Sequence, residues 1–143
     1  MPDPAVAGSL RTEVELHVAD VARSVAFYEA LGFVVTRRWE DWIRLDRGGA
    51  GLVLMGDAYV RGHDHYFTPH LDHSPRGVAV EIVIEVDDVA AARLAADAAV
   101  TAGGGLARVV KEITVRPWKA RDFRLADPDG FFLRISSALA HER

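Results

Sequence analysis

The strongest constraint in this chain is a pattern that it carries twice. From Glu13 to Val18 apolar and polar side chains alternate, with Val14, Leu16 and Val18 on one face and Glu13, Glu15 and His17 on the other, as in a half-buried strand. Asp20 comes next as an N-cap, its carboxylate able to accept from an unpaired N–H of the first helical turn. Val21, Ser24, Val25, Tyr28 and Leu31 then recur at helical spacing, and Gly32 stands where a helix ends in a left-handed residue. The pattern returns at Glu81: Ile82, Ile84 and Val86 alternate with Glu81, Val83 and Glu85, Asp88 caps, and an Ala-rich helix runs from Val89 to Thr101 before Gly103, Gly104 and Gly105. Glu13 and Glu81, Asp20 and Asp88, and Val21 and Val89 all lie 68 residues apart.

The match continues beyond each helix. Strands predicted at 33–38, 42–46 and 52–55 have counterparts at 106–115, 122–126 and 131–136, with glycine-containing turns at Arg47–Gly49 and Asp127–Gly130. Each half therefore reads β-α-β-β-β. One such unit cannot cover both faces of its sheet. The pattern thus predicts an α+β fold of tandem β-α-β-β-β repeats forming a curved mixed sheet, with helices outside and a central cavity. The expected division is a single domain over 1–143, with a first module at 12–56, a connecting loop at 57–77 and a second module at 78–137.

Composition narrows the function classes. A chain of 143 residues, half of them hydrophobic, can bury one core without covalent staples. The absence of cysteine excludes disulfides, thiolate nucleophiles and Cys-ligated metal centres. A net charge of -4 argues against a generally basic nucleic-acid binder. No stretch approaches the roughly 20 apolar residues of a membrane helix. Residues Met1 to Gly8 lack the basic start and apolar run of a secretory leader, so no membrane partner and a cytoplasmic location are expected.

Alternation also says what points away from the helices. Leu52, Leu54, Leu133 and Ile135 belong to the helix side of the last strands, which sends Val53, Met55, Phe132 and Arg134 the other way. With Glu13, Glu15, His17, Glu81, Val83 and Glu85 these residues are expected to line a concave face, rimmed by Trp39, Trp42 and Trp118. Unpaired carboxylates are costly to bury, so such a lining suits a ligand site. The plainer alternative is a wet sheet face with Glu81–Arg134 as an internal salt bridge.

The runs Val18-Ala-Asp20-Val-Ala-Arg-Ser24-Val-Ala-Phe27-Tyr28, Leu31-Gly32-Phe33, Arg116-Pro-Trp118 and Asp122-Phe-Arg-Leu-Ala-Asp127-Pro-Asp-Gly130-Phe, together with the duplication, resemble the vicinal oxygen chelate superfamily over about residues 12–137. That superfamily includes glyoxalase I, extradiol dioxygenases, fosfomycin-resistance enzymes and bleomycin-resistance proteins. The resemblance implies a divalent metal held at four positions, which here are Glu13, Val53, Glu81 and Arg134. Valine has no donor and a guanidinium cannot ligate, so no metal and no other cofactor is expected. The Arg116–Gly130 region looks most like the bleomycin-resistance type, which implies a homodimer that sequesters a cationic or aromatic antibiotic or metabolite. In that reading Glu13, Glu15, Glu81 and Glu85 supply negative field, and Trp42 and Trp118 stack on the ligand. His17, Val53, Met55, Val83, Phe132 and Arg134 complete the site, and no catalytic residue is assigned. The alternative is a metal-dependent glyoxalase-like lyase or isomerase, or a dioxygenase, using Glu13, Glu81 and imidazoles from elsewhere.

Four of the six histidines, His63, His65, His70 and His73, fall in the connecting loop. Two roles are open for it: a polar loop with incidental affinity for metal, or a lid that brings Tyr66 and Phe67 over the cavity. Asp127–Gly130 lacks calcium-loop spacing and reads as a turn. Gly103–Gly105 comes after a helix where a phosphate cradle would precede one.

Overall fold

The computed structural model describes residues 12–138, so the segment on which the leader reading rests lies outside the described residues. Both helices begin at the aspartates that the sequence nominates. Asp20 accepts from the N–H of Arg23 at 3.0 Å and Asp88 from that of Ala91 at 2.9 Å, each removing one unpaired donor from a first helical turn. The first module runs β1 (Glu15–Val18), α1 (Val21–Ala30), β2 (Val34–Trp39), β3 (Trp42–Arg47) and β4 (Ala50–Gly56). The second runs β5 (Glu81–Glu85), α3 (Val89–Gly103), β6 (Arg108–Val115), β7 (Arg121–Ala126) and β8 (Phe132–Ser136). Between them lie a short helix α2 (Asp57–Arg61) and a 3₁₀ turn at Thr68–His70.

The duplication is carried into the topology. The fold is α+β, and its mixed sheet is built as two four-stranded sheets, ordered β1-β4-β3-β2 and β5-β8-β7-β6. In each, the first strand pairs parallel with the last and the others pair antiparallel. Each sheet is thus a β-α-β-β-β unit with its first strand at an edge. No helix of the described residues is long and apolar enough to cross a membrane.

The two sheets direct one face each at a common core. Leu16, Val18, Ile43, Leu45 and Leu54 from the first sheet and Ile84, Phe123, Leu125, Leu133 and Ile135 from the second join Phe27 and Tyr28 of α1 and Ala92, Ala96 and Ala99 of α3 in one buried cluster. The alanines matter because α1 and α3 lie directly against each other. At Gly103 even a Cβ would come within 2.9 Å of Pro128 and 3.0 Å of Phe27, so this last residue of α3 has to lack one. Val14, expected on the helix side, precedes β1 and is exposed.

A buried polar tie joins the modules. Tyr28 Oη on α1 donates to Asp127 Oδ2 at 2.8 Å, while Asp127 Oδ1 accepts from the N–H groups of Asp129 and Phe131, both at 2.9 Å. Asp129 accepts from the Ala19 N–H at 3.0 Å and the Ser24 hydroxyl at 3.4 Å, with Arg23 3.6 Å away. The β7–β8 turn therefore grips the start of α1, and Gly130 allows it by adopting φ +91°. Burial is the main reason that the Asp127 carboxyl rises from 3.8 to about 6, and burial beside Asp127 pushes the Tyr28 phenol well above its usual value.

A carboxyl raised by folding contributes stability that is fully present below its unfolded value and is lost as pH climbs through about 6. A rise of this size corresponds to about 3 kcal/mol. Urea unfolding of wild type and Asp127→Asn across pH 4 to 7 should show the advantage of wild type over the variant shrinking as pH rises. A constant difference across that range would contradict the assignment. Tyr28→Phe, which strips Asp127 of a buried donor, should cost about 1–3 kcal/mol.

Candidate ligand-binding site

The faces turned away from the core carry the charged residues that the alternation places there, but those charges are not bare. On the second sheet they form a ladder of alternating sign. Arg116 grips Asp122 with two hydrogen bonds of 2.9 and 2.7 Å. Asp122 lies 3.5 Å from Arg124 Nε, Arg124 Nη1 lies 3.3 Å from Glu81, and the same Glu81 oxygen lies 3.5 Å from Arg134 Nε. Hydrogen bonds from Arg116 hold the buried Asp122 carboxyl below its ordinary range despite the cost of burial. The Arg124 guanidinium also sits 5.8 Å from the centre of the Phe132 ring.

The first sheet repeats the arrangement at the corresponding corner. Arg44 on β3, aligned with Arg124 in the duplication, donates to Glu13 at 2.7 Å and to both oxygens of Asp46 at 3.0 and 3.1 Å. Val53 lies between Arg44 and Glu15 in the sheet register and is fully buried. The four corners that the family resemblance would give to a metal are therefore two arginine-paired glutamates, a buried aliphatic side chain and an arginine. They do not fit a divalent cation: two of the four positions offer no donor, and arginines stand beside the two carboxylates that remain. No group of three or more His, Asp or Glu side chains among the described residues is placed to hold a metal.

The connecting segment lies across the edge of the first sheet. Arg76 makes two hydrogen bonds to Asp57, 2.7 and 2.6 Å, and a third at 2.9 Å to the His17 carbonyl, stapling both ends of the segment to β1 and β4. His65 and Phe67 then pack on the His17 ring, with centroids 5.0 and 4.9 Å away. A cavity of about 480 Å³ opens beside them, bounded by β1, Leu71, Arg76, Val80 and Phe131. His17 Nδ1 is buried without a hydrogen-bond partner. Burial, then the neighbouring His65, lowers the His17 pKa below 6.5.

Placed on this geometry, the expected site residues separate into two sets on separate sheets. Glu13, Glu15, His17, Trp42, Val53 and Met55 belong to the first; Glu81, Val83, Glu85, Phe132 and Arg134 belong to the second, with Trp118 in its β6–β7 loop. Three expectations are corrected. The lining is not simply acidic, because Arg44 takes Glu13 and Arg124 joins Arg134 at Glu81; among the described residues only Glu15 and Glu85 of the four glutamates lack a cation partner. Val53 is sealed within its sheet and His17 is covered by His65 and Phe67, so neither stands on an open face. Tyr66 projects outward and is 79% exposed, while Phe67, 42% exposed, rests one edge on His17. The alternation of the first and last strands does not reach Arg44, Arg124 or Arg116, although each of the first two stands as a lone charge between apolar core residues, 80 positions apart.

Removing the cover should relax His17. In Phe67→Ala with His65→Ala, the His17 pKa, read from its ring-proton shifts by NMR, should rise toward 6.5; an unchanged value would mean that the connector does not hold this ring out of water.

Known proteins share this architecture. Residues 12–135 match the family model of the Glyoxalase/Bleomycin resistance protein/Dioxygenase superfamily. No curated protein matches. Solved structures of similar fold include a hypothetical protein from S. aureus, with a TM-score of 0.71 and 21% identity over 90% of this chain and 93% of that one. A glyoxalase/bleomycin resistance protein/dioxygenase family enzyme from Burkholderia phytofirmans PsJN has a TM-score of 0.68 and 21% identity, covering 89% of this chain and 97% of its own. A bleomycin-binding protein complexed with bleomycin has a TM-score of 0.64 and 25% identity, covering 91% and 99%.

Proposed function

The chain belongs to the Glyoxalase/Bleomycin resistance protein/Dioxygenase superfamily, and from that premise we propose that it is a metal-free binding protein that sequesters a small aromatic molecule without transforming it. One observation carries this reading. Each corner glutamate is ion-paired with an arginine from its own sheet, Glu13 with Arg44 and Glu81 with Arg124 and Arg134. A lyase, isomerase or dioxygenase of the metal-dependent kind needs donors there, whereas a binding protein needs only polar walls and apolar surface. The apolar surface is present in Trp39 and Trp118, 68% and 44% exposed, and in Val83 at 42%.

The site is completed by a second copy of the chain. Within one chain the helix-free faces look away from the common core, and β1 and β5 each stand at a sheet edge. Bringing the first sheet of one copy against the second sheet of another encloses Trp42 and Met55 with Val83, Phe132 and Trp118. Exposed aromatic and apolar groups then leave water on both partners. Light scattering should give twice the chain mass of 15.6 kDa.

Titration calorimetry and tryptophan fluorescence with bleomycin and with planar aromatic compounds test the binding function. Binding should appear in the micromolar range or tighter, and Trp42→Ala or Trp118→Ala should weaken it by roughly tenfold, about the contribution of one aromatic contact. Neither heat nor quenching with any of these at millimolar ligand would sink the reading. Elemental analysis of untagged protein should find no stoichiometric divalent metal; one equivalent, lost in Glu13→Gln or Glu81→Gln, would return the chain to the metal enzymes.

A further inference from the structure

The ladder on the second sheet does not close. It runs Arg116, Asp122, Arg124, Glu81, Arg134, so three guanidinium groups share two carboxylates. The excess falls at the Arg134 end. Arg116 satisfies its fork on Asp122, but the Arg134 side chain makes no hydrogen bond to any other described residue; its single ionic contact is the 3.5 Å approach of Nε to Glu81, and that Nε is buried without a hydrogen-bond partner. A guanidinium presents five N–H donors in a fixed plane; here the Nε–H is buried and unmet, which is costly, while no Nη atom is buried in this way, so the fork stays open to an incoming acceptor. The rest of the face does not supply the missing anion: the register places Lys111 opposite Arg124 and Arg108 opposite Ala126 on β6, while Glu85 lies opposite Ser136 at the far end of β5.

Besides Arg124 and Glu81, Arg134 has apolar neighbours. Val83 is its register partner on β5 and is open to solvent, and Phe132, two residues earlier on β8, carries the Arg124 guanidinium near its ring. We infer that Arg134, with Arg124 beside it, receives the carboxylate of an aromatic acid whose ring lies against Val83 and Phe132. This rests on the binding function proposed above and gives the ligand its charge, opposite in sign to the cation that an acidic lining would have taken. A planar carboxylate fits the guanidinium fork through two parallel hydrogen bonds, which an alcohol or an amine of the same shape does not do. Glu81, with one oxygen 3.3 Å from Arg124 and 3.5 Å from Arg134, is the carboxylate with which the incoming one competes.

Three probes of one shape separate the outcomes: 2-naphthoate, 2-naphthalenemethanol and 2-naphthylmethylamine, each titrated into the full-length protein by calorimetry. The naphthoate should bind at least about tenfold more tightly than the alcohol, and the amine more weakly than either. Arg134→Met should weaken the naphthoate far more than the alcohol and so erase the preference between them, and Arg134→Lys should restore only part of that preference. Glu81→Gln, which removes the competing carboxylate, should tighten naphthoate severalfold, a gain that a purely structural role for the ladder would not give. Equal binding of naphthoate and alcohol, a preference for the amine, or a naphthoate affinity indifferent to both Arg134→Met and Glu81→Gln overturns the inference while leaving a binding protein. Silence with all three probes and with bleomycin overturns both.

Discussion

The β7–β8 turn is the joint on which this molecule depends. Two β-α-β-β-β units, each with one sheet face to bury, have to settle against each other in a single arrangement, and apolar contact alone is poorly directional. The turn supplies direction. Asp127 and Asp129 reach out of the second module and accept from Tyr28, Ser24 and the Ala19 N–H of the first, all at the start or along one side of α1. The duplication is broken at this point: the matching turn of the first module is Arg47-Gly48-Gly49, without carboxylates, so the tie is made once and in one direction. Because α1 is held there, it can lie flat on the Ala-rich α3, with Gly103 clearing Phe27.

With the helices locked between the sheets, the remaining faces are left to polar chemistry. There the duplication persists in an unexpected form. Arg44 and Arg124 occupy the same place in the two copies, and each neutralises the glutamate at the corner of its own sheet. A carboxylate with an arginine beside it attracts a second cation less than a bare one does, and the positive charge alongside repels an incoming metal ion. The third strands thus place a cation at each corner, and the second ladder ends on an arginine whose Nε has no hydrogen-bond partner.

Much of this is legible in the chain alone. Asp20 and Asp88 cap because a carboxylate one residue before a helical period is a local signal. The repeat of 68 residues and the alternation of Leu16, Val18, Ile82 and Ile84 identify strand faces because the side-chain period of a strand is two. The Glu81–Arg134 contact is also within reach, since both residues face away from the helices on strands expected to be neighbours. Pairing across register escapes such reading: Arg124 meets Glu81 diagonally across β8, and Arg44 meets Glu13 across β4, and no periodicity within either segment announces it. The exposure expected of Val53 and His17 fails for a similar reason. Burial of Val53 comes from its neighbours in the sheet, and burial of His17 comes from a connector whose path the sequence leaves open.

The sequence by itself therefore determined the β-α-β-β-β pattern, the caps, the faces of the first and last strands of each half and the exclusion of thiol chemistry, because each depends on neighbours within a few residues or on composition. Only the tertiary structure decided which charges are spent on each other, which side chains the connector covers, and that Tyr28 would meet Asp127. Those outcomes depend on distances between residues tens of positions apart, and electrostatic and packing energies change over a few ångströms, a scale that spacing along the chain does not record.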